Sequence, residues 1–342
     1  MRLLVAFAVI SIFSLSPVCA NDKAPTFANT KPATQSSLAS KSLLLDISLI
    51  GEEKVVVVGQ HGHILTSSDG EQWQQANVPV QATLTSVYFL NDKLGWAVGH
   101  DATILHTQDG GENWIIQQYL PELEKPLFDI FFKDAQQGIA VGAYGQVFRS
   151  LDGGNTWKSE FHQEFLLADD IEYLQEIRTE DEEAYLDEIS FILPHFNGLV
   201  QEGRTLFLLG ETGLLAKSND FGKTWQPFEN FYQGSFFSLG RTQKGSLLVS
   251  GLRGHVFRST KNGASWNEID TATTALLNDI VFASNDRIFI LGNNGMLLMS
   301  TDDGASFSQR VQKDGKTLIA GVWFKEKLLA VSDVGIKVVN LP

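Results

Sequence analysis

Two phrases near the middle of the chain decide its fold: Val141-Gly142-Ala143-Tyr144-Gly145, and shortly after it Ser150-Leu151-Asp152-Gly153-Gly154-Asn155-Thr156-Trp157. The first returns as Val58-Gly59-Gln60-His61-Gly62, Val98-Gly99-His100-Asp101-Ala102, Leu209-Gly210-Glu211-Thr212-Gly213, Ser250-Gly251-Leu252-Arg253-Gly254 and Leu291-Gly292-Asn293-Asn294-Gly295. A seventh copy, Val331-Ser332-Asp333-Val334-Gly335, has lost its first glycine. The copies end at 62, 102, 145, 213, 254, 295 and 335, so they are 40, 43, 68, 41, 41 and 40 residues apart. One interval therefore carries about 27 extra residues.

The second phrase follows six of the seven copies, with aspartates Asp69, Asp109, Asp152, Asp220 and Asp302 and aromatic ends Trp73, Trp114, Trp157, Trp225, Trp266 and Phe307. Lys261 replaces the aspartate in the copy that ends at Trp266. A third phrase precedes each glycine pair, as in Leu84-Thr85-Ser86-Val87-Tyr88-Phe89 and Leu277-Asn278-Asp279-Ile280-Val281-Phe282. Its alternation of large apolar residues marks a strand. Four short strands in about 41 residues make one propeller blade. The reading is all-β: a seven-bladed β-propeller whose first strand lines the channel, with Gly-x-x-Gly turns joining strands two and three and Ser-x-Asp turns joining three and four. Glycine supplies the positive φ of tight turns, Ser and Asp bond the amides of their own turn, and the tryptophans pack between blades. A closed ring is preferred because an open stack leaves bare sheet edges.

The seventh unit provides Ile319–Phe324, Leu328–Ser332 and Gly335–Asn340 and then the sequence ends, one strand short. A segment within Lys23–Gln35 is expected to supply the fourth strand and close the ring. The alternative is a three-stranded last blade with a loose N-terminal tail.

Composition narrows the function. The 342 residues carry 26 basic and 40 acidic side chains, a net charge of −14, and 43% are apolar, which is enough for a large core. The acidic balance argues against nucleic acid, whose phosphates need lysine and arginine. The single cysteine, Cys19, excludes a disulfide framework and a cysteine-built zinc site. Arg2, the apolar run Leu3–Leu15, Pro17 and Val18-Cys19-Ala20 read as an export signal cleaved after Ala20, which leaves a cysteine-free mature chain beginning at Asn21. An uncleaved anchor or a lipid on Cys19 are the alternatives; the run is short of the roughly 20 residues a span needs. The expected organisation is a signal peptide at 1–20, an N-terminal segment at 21–41 and a propeller at 42–342, soluble, monomeric and periplasmic.

The Ser-x-Asp-x-Gly-x-Thr-Trp phrase resembles the Asp-box of bacterial neuraminidase repeats. The fuller pattern, Leu84–Phe89 with Gly95-Trp96-Ala97-Val98-Gly99 and Thr107–Trp114, resembles the photosystem II stability and assembly factor family over residues 42 to 340. The resemblance implies a seven-bladed propeller in the lumen or periplasm that acts as an assembly scaffold. Related propellers also occur in non-photosynthetic bacteria, and this chain is expected to be one of those. The resemblance further implies that a patch of arginines binds a reaction-centre subunit. Only nine arginines are present, and Arg149 and Arg258 occupy equivalent strand positions.

Enzyme signatures are sparse. The Arg-Ile-Pro of sialidases has no counterpart, the nearest string being Arg287-Ile288-Phe289, and no His-Glu-x-x-His, Gly-x-Ser-x-Gly or phosphate-cradling loop occurs. The chain is read as non-catalytic, without cofactor or metal; a carbohydrate-active enzyme or lectin is the runner-up, and an accessory subunit of an export system the third reading. His61, His63 and His100 offer too few converging imidazoles for a metal site.

Two regions are candidates for binding a protein partner, expected to be a membrane or envelope protein. One is the ring of Gly-x-x-Gly turns, which puts His61, His100, Asp101, Tyr144, Glu211, Arg253, Asn293, Asn294 and Asp333 on the face that also carries the links between blades. The other is the insertion at 158–190. Glu164 to Glu188 holds eleven carboxylates and one base, Arg178. Phe165, Leu167, Ile171, Leu174 and Ile177 recur at helical steps, and a second helix is expected to start near Thr179 and run through Tyr185, Leu186 and Ile189. A helical hairpin over the propeller mouth follows, either packing as an acidic decoration or docking a basic partner through Glu180, Asp181, Glu182 and Glu183. Calcium is a minor alternative, since no EF-hand spacing is present.

Overall fold

A computed structural model describes residue 27 and residues 30–284 and 286–341. Seven antiparallel sheets follow one another in chain order, six of four strands and the last of three, Leu318–Phe324, Lys327–Ser332 and Gly335–Val338. Within each sheet the strands pair in chain order. The first strands, from Leu44–Ile50 to Leu318–Phe324, contact one another round the ring, and the last of them contacts the first. The chain is a seven-bladed β-propeller.

Each pair of adjacent blades encloses one apolar cluster. Between the first two blades Val56, Val58 and Ile64 meet Leu84, Val87 and Trp114. Trp157, Trp225, Trp266 and Phe307 occupy the same place at the next junctions, and Trp73 fills the junction of the seventh blade with the first. The sixth and seventh blades differ: among the described residues no fourth strand brings an aromatic there, and Val339, Leu341 and Trp323 cover that cluster.

The two glycines of the repeated turn do different work. The second takes the left-handed conformation, with φ +69° at Gly62 and +79° at Gly254, and so does the residue before it, including His61, Asp101, Tyr144, Arg253 and Asn294. The first glycine is extended, φ −178° at Gly59 and −169° at Gly142, so positive φ does not explain it. A Cβ at Gly59, Gly99 or Gly142 would run into the carbonyl of Leu43, Thr83 or Pro126 in the incoming link. Those carbonyls accept the amide that follows the glycine, as His100 N–H donates to Thr83 at 2.9 Å. Glycine is needed there for the close approach of two backbones.

Residues 30–35 of the expected closing segment do not pair with the last blade. Among the described residues no strand pairs with the outer side of Gly335–Val338. Residues 30–36 lie instead along the first blade: Ala33 N–H donates to Val78 O at 2.9 Å, Gln35 Nε2 to Ala76 O at 3.1 Å, and Gln81 Nε2 to Pro32 O at 2.9 Å. The rest of 23–35 and the export signal lie outside the described residues, apart from Phe27. The ring shuts by side chains. Ala39, Leu44, Ile47 and Leu65 pack on Phe324, Leu329 and Val331, and Lys325 and Lys327 reach Glu53 and Glu71 at 3.3 and 2.6 Å.

Candidate functional site

Every innermost strand carries a bulge at its second residue. An extra residue there turns its side chain into the channel. Leu45, Thr85, Phe128, Asn197, Phe237 and Asn278 accordingly line a central cavity of about 340 Å³. None of the turn residues singled out from the sequence lines it.

The next residue in each strand forms a belt round the channel. Asp46 accepts the Val87 amide at 2.8 Å and the Ser86 hydroxyl at 3.0 Å; Asp129 accepts the Leu199 amide at 2.7 Å and the same hydroxyl at 2.9 Å. Asp279 accepts the Gly321 amide at 2.9 Å and the Ser238 hydroxyl at 3.0 Å. Each carboxylate thus ties its own blade to the next. Burial pushes the Asp46 carboxyl up to about 7 and that of Asp129 to about 6, against the pull of those amides, and raises Asp279 in the same direction. Both oxygens of each group accept bonds from the fold. Sequence reading missed this belt, although Asp46, Ser86, Asp129, Ser238 and Asp279 share one repeat position and a register comparison would have exposed it.

The Ser-x-Asp turns are built as expected. In the third blade Ser150 Oγ donates to Asp152 Oδ1 at 2.9 Å, and Asp152 accepts the Thr156 amide and hydroxyl. Such bonds hold the exposed carboxyls of Asp109, Asp220 and Asp302 down to about 2, despite an opposing burial contribution. The fifth blade keeps the serine bonds to the Lys261 and Gly263 amides but has no carboxylate. These turns hold shape; they gather no converging reactive groups.

Of the turn residues on the link face, His61, His100, Tyr144, Arg253, Asn294 and Asp333 are exposed, and Asp101, Glu211 and Asn293 half-buried. His63 is buried, with Nδ1 bonded to Ser42 Oγ at 3.0 Å, so it does not join His61 in presenting an imidazole outward. Among the described residues no group of three or more His, Cys, Asp or Glu side chains is placed to hold a metal. The structure does bring two ring members together. Tyr144 donates its amide to His195 Nδ1 at 2.9 Å, and the Glu211 carboxylate accepts the His195 amide at 3.2 Å. Lys125 reaches over the Phe191 ring at 4.0 Å and donates to Ser190 O at 2.5 Å. Lys125, Phe191 and His195 were not singled out from the sequence; Lys125 sits in a link of variable composition that gave no signal.

That cluster is one root of the insertion. Two helices form, α1 (Ala168–Glu180) and α2 (Glu182–Ile189), and Asp181 caps α2 by accepting the amides of Glu183 and Ala184. Lys158–Glu160 is the fourth strand of the third blade, so the insertion begins after Glu160 and ends at the fourth blade's first strand, not at 158 and 190. The other root is His162, Glu164 and Phe165. Glu164 accepts the Trp225 amide at 3.3 Å, and Phe165 packs on Phe196 and Trp225. The predicted apolar stripe is the less exposed side of the helices, with Leu174 buried and Ile171, Ile177, Tyr185 and Ile189 half-buried, whereas Leu167 is 74% and Leu186 55% exposed. The hairpin stands at the rim beside the third and fourth blades, and none of its residues lines the central cavity.

Comparison with known proteins agrees with this architecture. Residues 26–123 match the family model for the photosynthesis system II assembly factor YCF48. The photosystem II assembly protein Ycf48 of Thermosynechococcus vestitus is 27% identical over 238 residues, 69% of this chain and 61% of that protein. The structure of YCF48 bound to a D1 peptide superposes with a TM-score of 0.66 at 18% identity, covering 92% of this chain and 99% of that one. Virginiamycin B lyase from Staphylococcus aureus, an enzyme, superposes with a TM-score of 0.64 at 11% identity, covering 90% and 96%. The fold is therefore common to binders and enzymes. Together the matches make this chain similar to the photosystem II assembly factor-like family, and it spans 61% of the length of the Thermosynechococcus relative.

Proposed function

We propose that this propeller is an exported, non-catalytic assembly factor that holds a protein subunit of a membrane complex, and that the acidic hairpin at the rim of blades three and four is its docking element. The observation that carries the reading is the hairpin itself. Nine carboxylates and one arginine stand on the two helices, which are tied down at their roots, with Leu167, Tyr173 and Leu186 exposed among them. A surface both strongly acidic and studded with exposed apolar side chains suits a basic, amphipathic segment of a partner. The Ycf48 relatives support the scaffold role, and a D1 peptide bound to YCF48 shows that a protein of this kind takes a peptide. Among the described residues no helix is long and apolar enough to cross a membrane, so the membrane connection is assigned to the partner. Export rests on the Leu3–Leu15 run and its small-residue flank; the mature protein should begin at Asn21, which intact-mass measurement of the native protein checks.

The test replaces residues 167–189 with a short Gly-Ser link and repeats affinity capture from the native envelope fraction. Folding should survive, because closing a loop between fixed roots costs little entropy, while the co-purifying membrane subunit should be lost. Retention of that subunit by the shortened protein would overturn the docking role. Capture by the full-length protein should weaken between about 0.1 and 1 M salt, as the screening length falls from about 10 to 3 Å.

A further inference from the structure

We propose that the outer edge of the seventh blade is a second docking strip, onto which an extended, acidic segment of a protein partner adds as the missing fourth strand. The proposal does not depend on the hairpin. Six blades have a fourth strand and the seventh has none among the described residues, which leaves Gly335–Val338 as an unpaired edge. Val339 donates its amide inward to Leu328 O at 2.9 Å, so alternation along the strand aims the backbone groups of Ile336 and Val338 outward. Such an edge is a template for another strand.

Beside the edge lies a groove of about 540 Å³ between the sixth and seventh blades, lined among others by Arg310, Gln312, Lys313, Lys337 and Val338. Three features identify what fits it. Val338 and Val311 are 49% and 57% exposed, an apolar strip of the kind a cross-strand side chain covers. In a chain of net charge −14 this groove is basic: its one carboxylate, Asp314, is already paired with Lys337 at 2.5 Å, leaving Arg310 and Lys313 in excess. Gln312 is only 8% exposed, yet its Nε2 has no acceptor. By contrast, the buried Gln118 of the second blade is satisfied, its Nε2 donating to Ala102 O at 3.0 Å. A buried amide left without an acceptor costs about 1–3 kcal/mol, and a backbone carbonyl of an added strand would supply one. Residues 32–36 of the protein's own N-terminal stretch bond along the first blade toward Gln81, away from this groove.

The experiment uses the full mature chain and a fluorescein-labelled peptide of about eight residues alternating glutamate with valine, read by anisotropy, against the same peptide with lysine for glutamate. The acidic peptide should bind and the basic one should not. Val338→Pro removes only an outward amide, a change an edge strand tolerates; it should weaken binding about tenfold or more, roughly the loss of one or two edge hydrogen bonds, with the melting temperature unchanged. Arg310→Glu combined with Lys313→Glu, both on the surface, should invert the preference between the peptides, and this readout stands even if the proline variant unfolds. Equal binding of both peptides, or affinity unchanged in Val338→Pro and no inversion in the charge-reversed protein, overturns the proposal. A dimer of the unliganded protein in sedimentation that Val338→Pro disperses overturns it too, by assigning the edge to a second copy.

Discussion

Burial and hydrogen bonding move two sets of aspartates in opposite directions, and the two sets answer pH oppositely. Asp46, at about 7, keeps in the folded state a proton that the unfolded chain loses near 4. Its contribution is therefore fully present below about pH 4 and is lost as pH rises through 7, with Asp129 and Asp279 shifting the same way. Asp109, Asp220 and Asp302 lie below their usual value, so their contribution holds above about pH 4 and is lost as pH falls through 2. Asp46→Asn keeps an acceptor for Val87 and removes the titration. Thermal melts between pH 4 and 8 should show a flatter slope than the wild type, and higher stability than the wild type at pH 8, by roughly 1–3 kcal/mol. An unaltered slope would mean that the channel carboxyls titrate normally. The glycines make a second residue-scale contrast. Gly99→Ala meets the Thr83 carbonyl and should cost about 2–4 kcal/mol, whereas Gly203→Ala, at φ +63° with open space around it, should cost only about 1–2 kcal/mol from the left-handed backbone. Urea midpoints of the two variants decide whether close approach or φ is the stronger constraint.

At the scale of the element, sequence was informative where a feature repeats and poor where it occurs once. The phrases typified by Gly142-x-x-Gly145 and Ser150-x-Asp152 recur in most copies, so strand order, blade number and the inter-blade tryptophans were all legible. The insertion's two helices were legible too, but not its footing, because Leu167 and Leu186 carry the apolar periodicity and yet stand exposed. The segment before the first blade has no counterpart in the repeat, so its partner could not be read from the pattern; its described residues 33–36 bond to Gln75, Ala76 and Val78 of the first blade. Deleting residues 23–35 should then speed amide exchange at 76–81 and leave 335–338 unaffected. Faster exchange at the seventh-blade edge instead would show that the segment closes the ring after all.

For the molecule as a whole, a ring is as stable as its weakest junction, and the seventh blade is a partner in two unusual ones. Among the described residues it has neither a fourth strand nor a Ser-x-Asp turn, and its junction with the sixth blade is sealed by Val339, Leu341 and Trp323 stacked 5.9 Å from Phe289. Its junction with the first blade has Trp73 but no shared strand, and relies on apolar packing and on lysines that are largely solvated. Solvated ion pairs contribute little, about 0–1 kcal/mol each. The apolar contacts therefore decide whether the ring stays shut, and Leu329, fully buried in that seam, is their test. Leu329→Ala should cost about 2–5 kcal/mol, the usual range for a buried leucine. Leu248→Ala, equally buried between the fifth and sixth blades, should cost a similar amount globally. The two should differ in where the protein opens. Native-state hydrogen exchange should show Lys327–Ser332 opening below the global unfolding free energy in the wild type and more so in Leu329→Ala, while Leu247–Gly251 exchanges only with global unfolding. Equal protection of the two strands in the wild type would mean that the three-stranded blade is locked as firmly as the others and that the ring has no preferred gate.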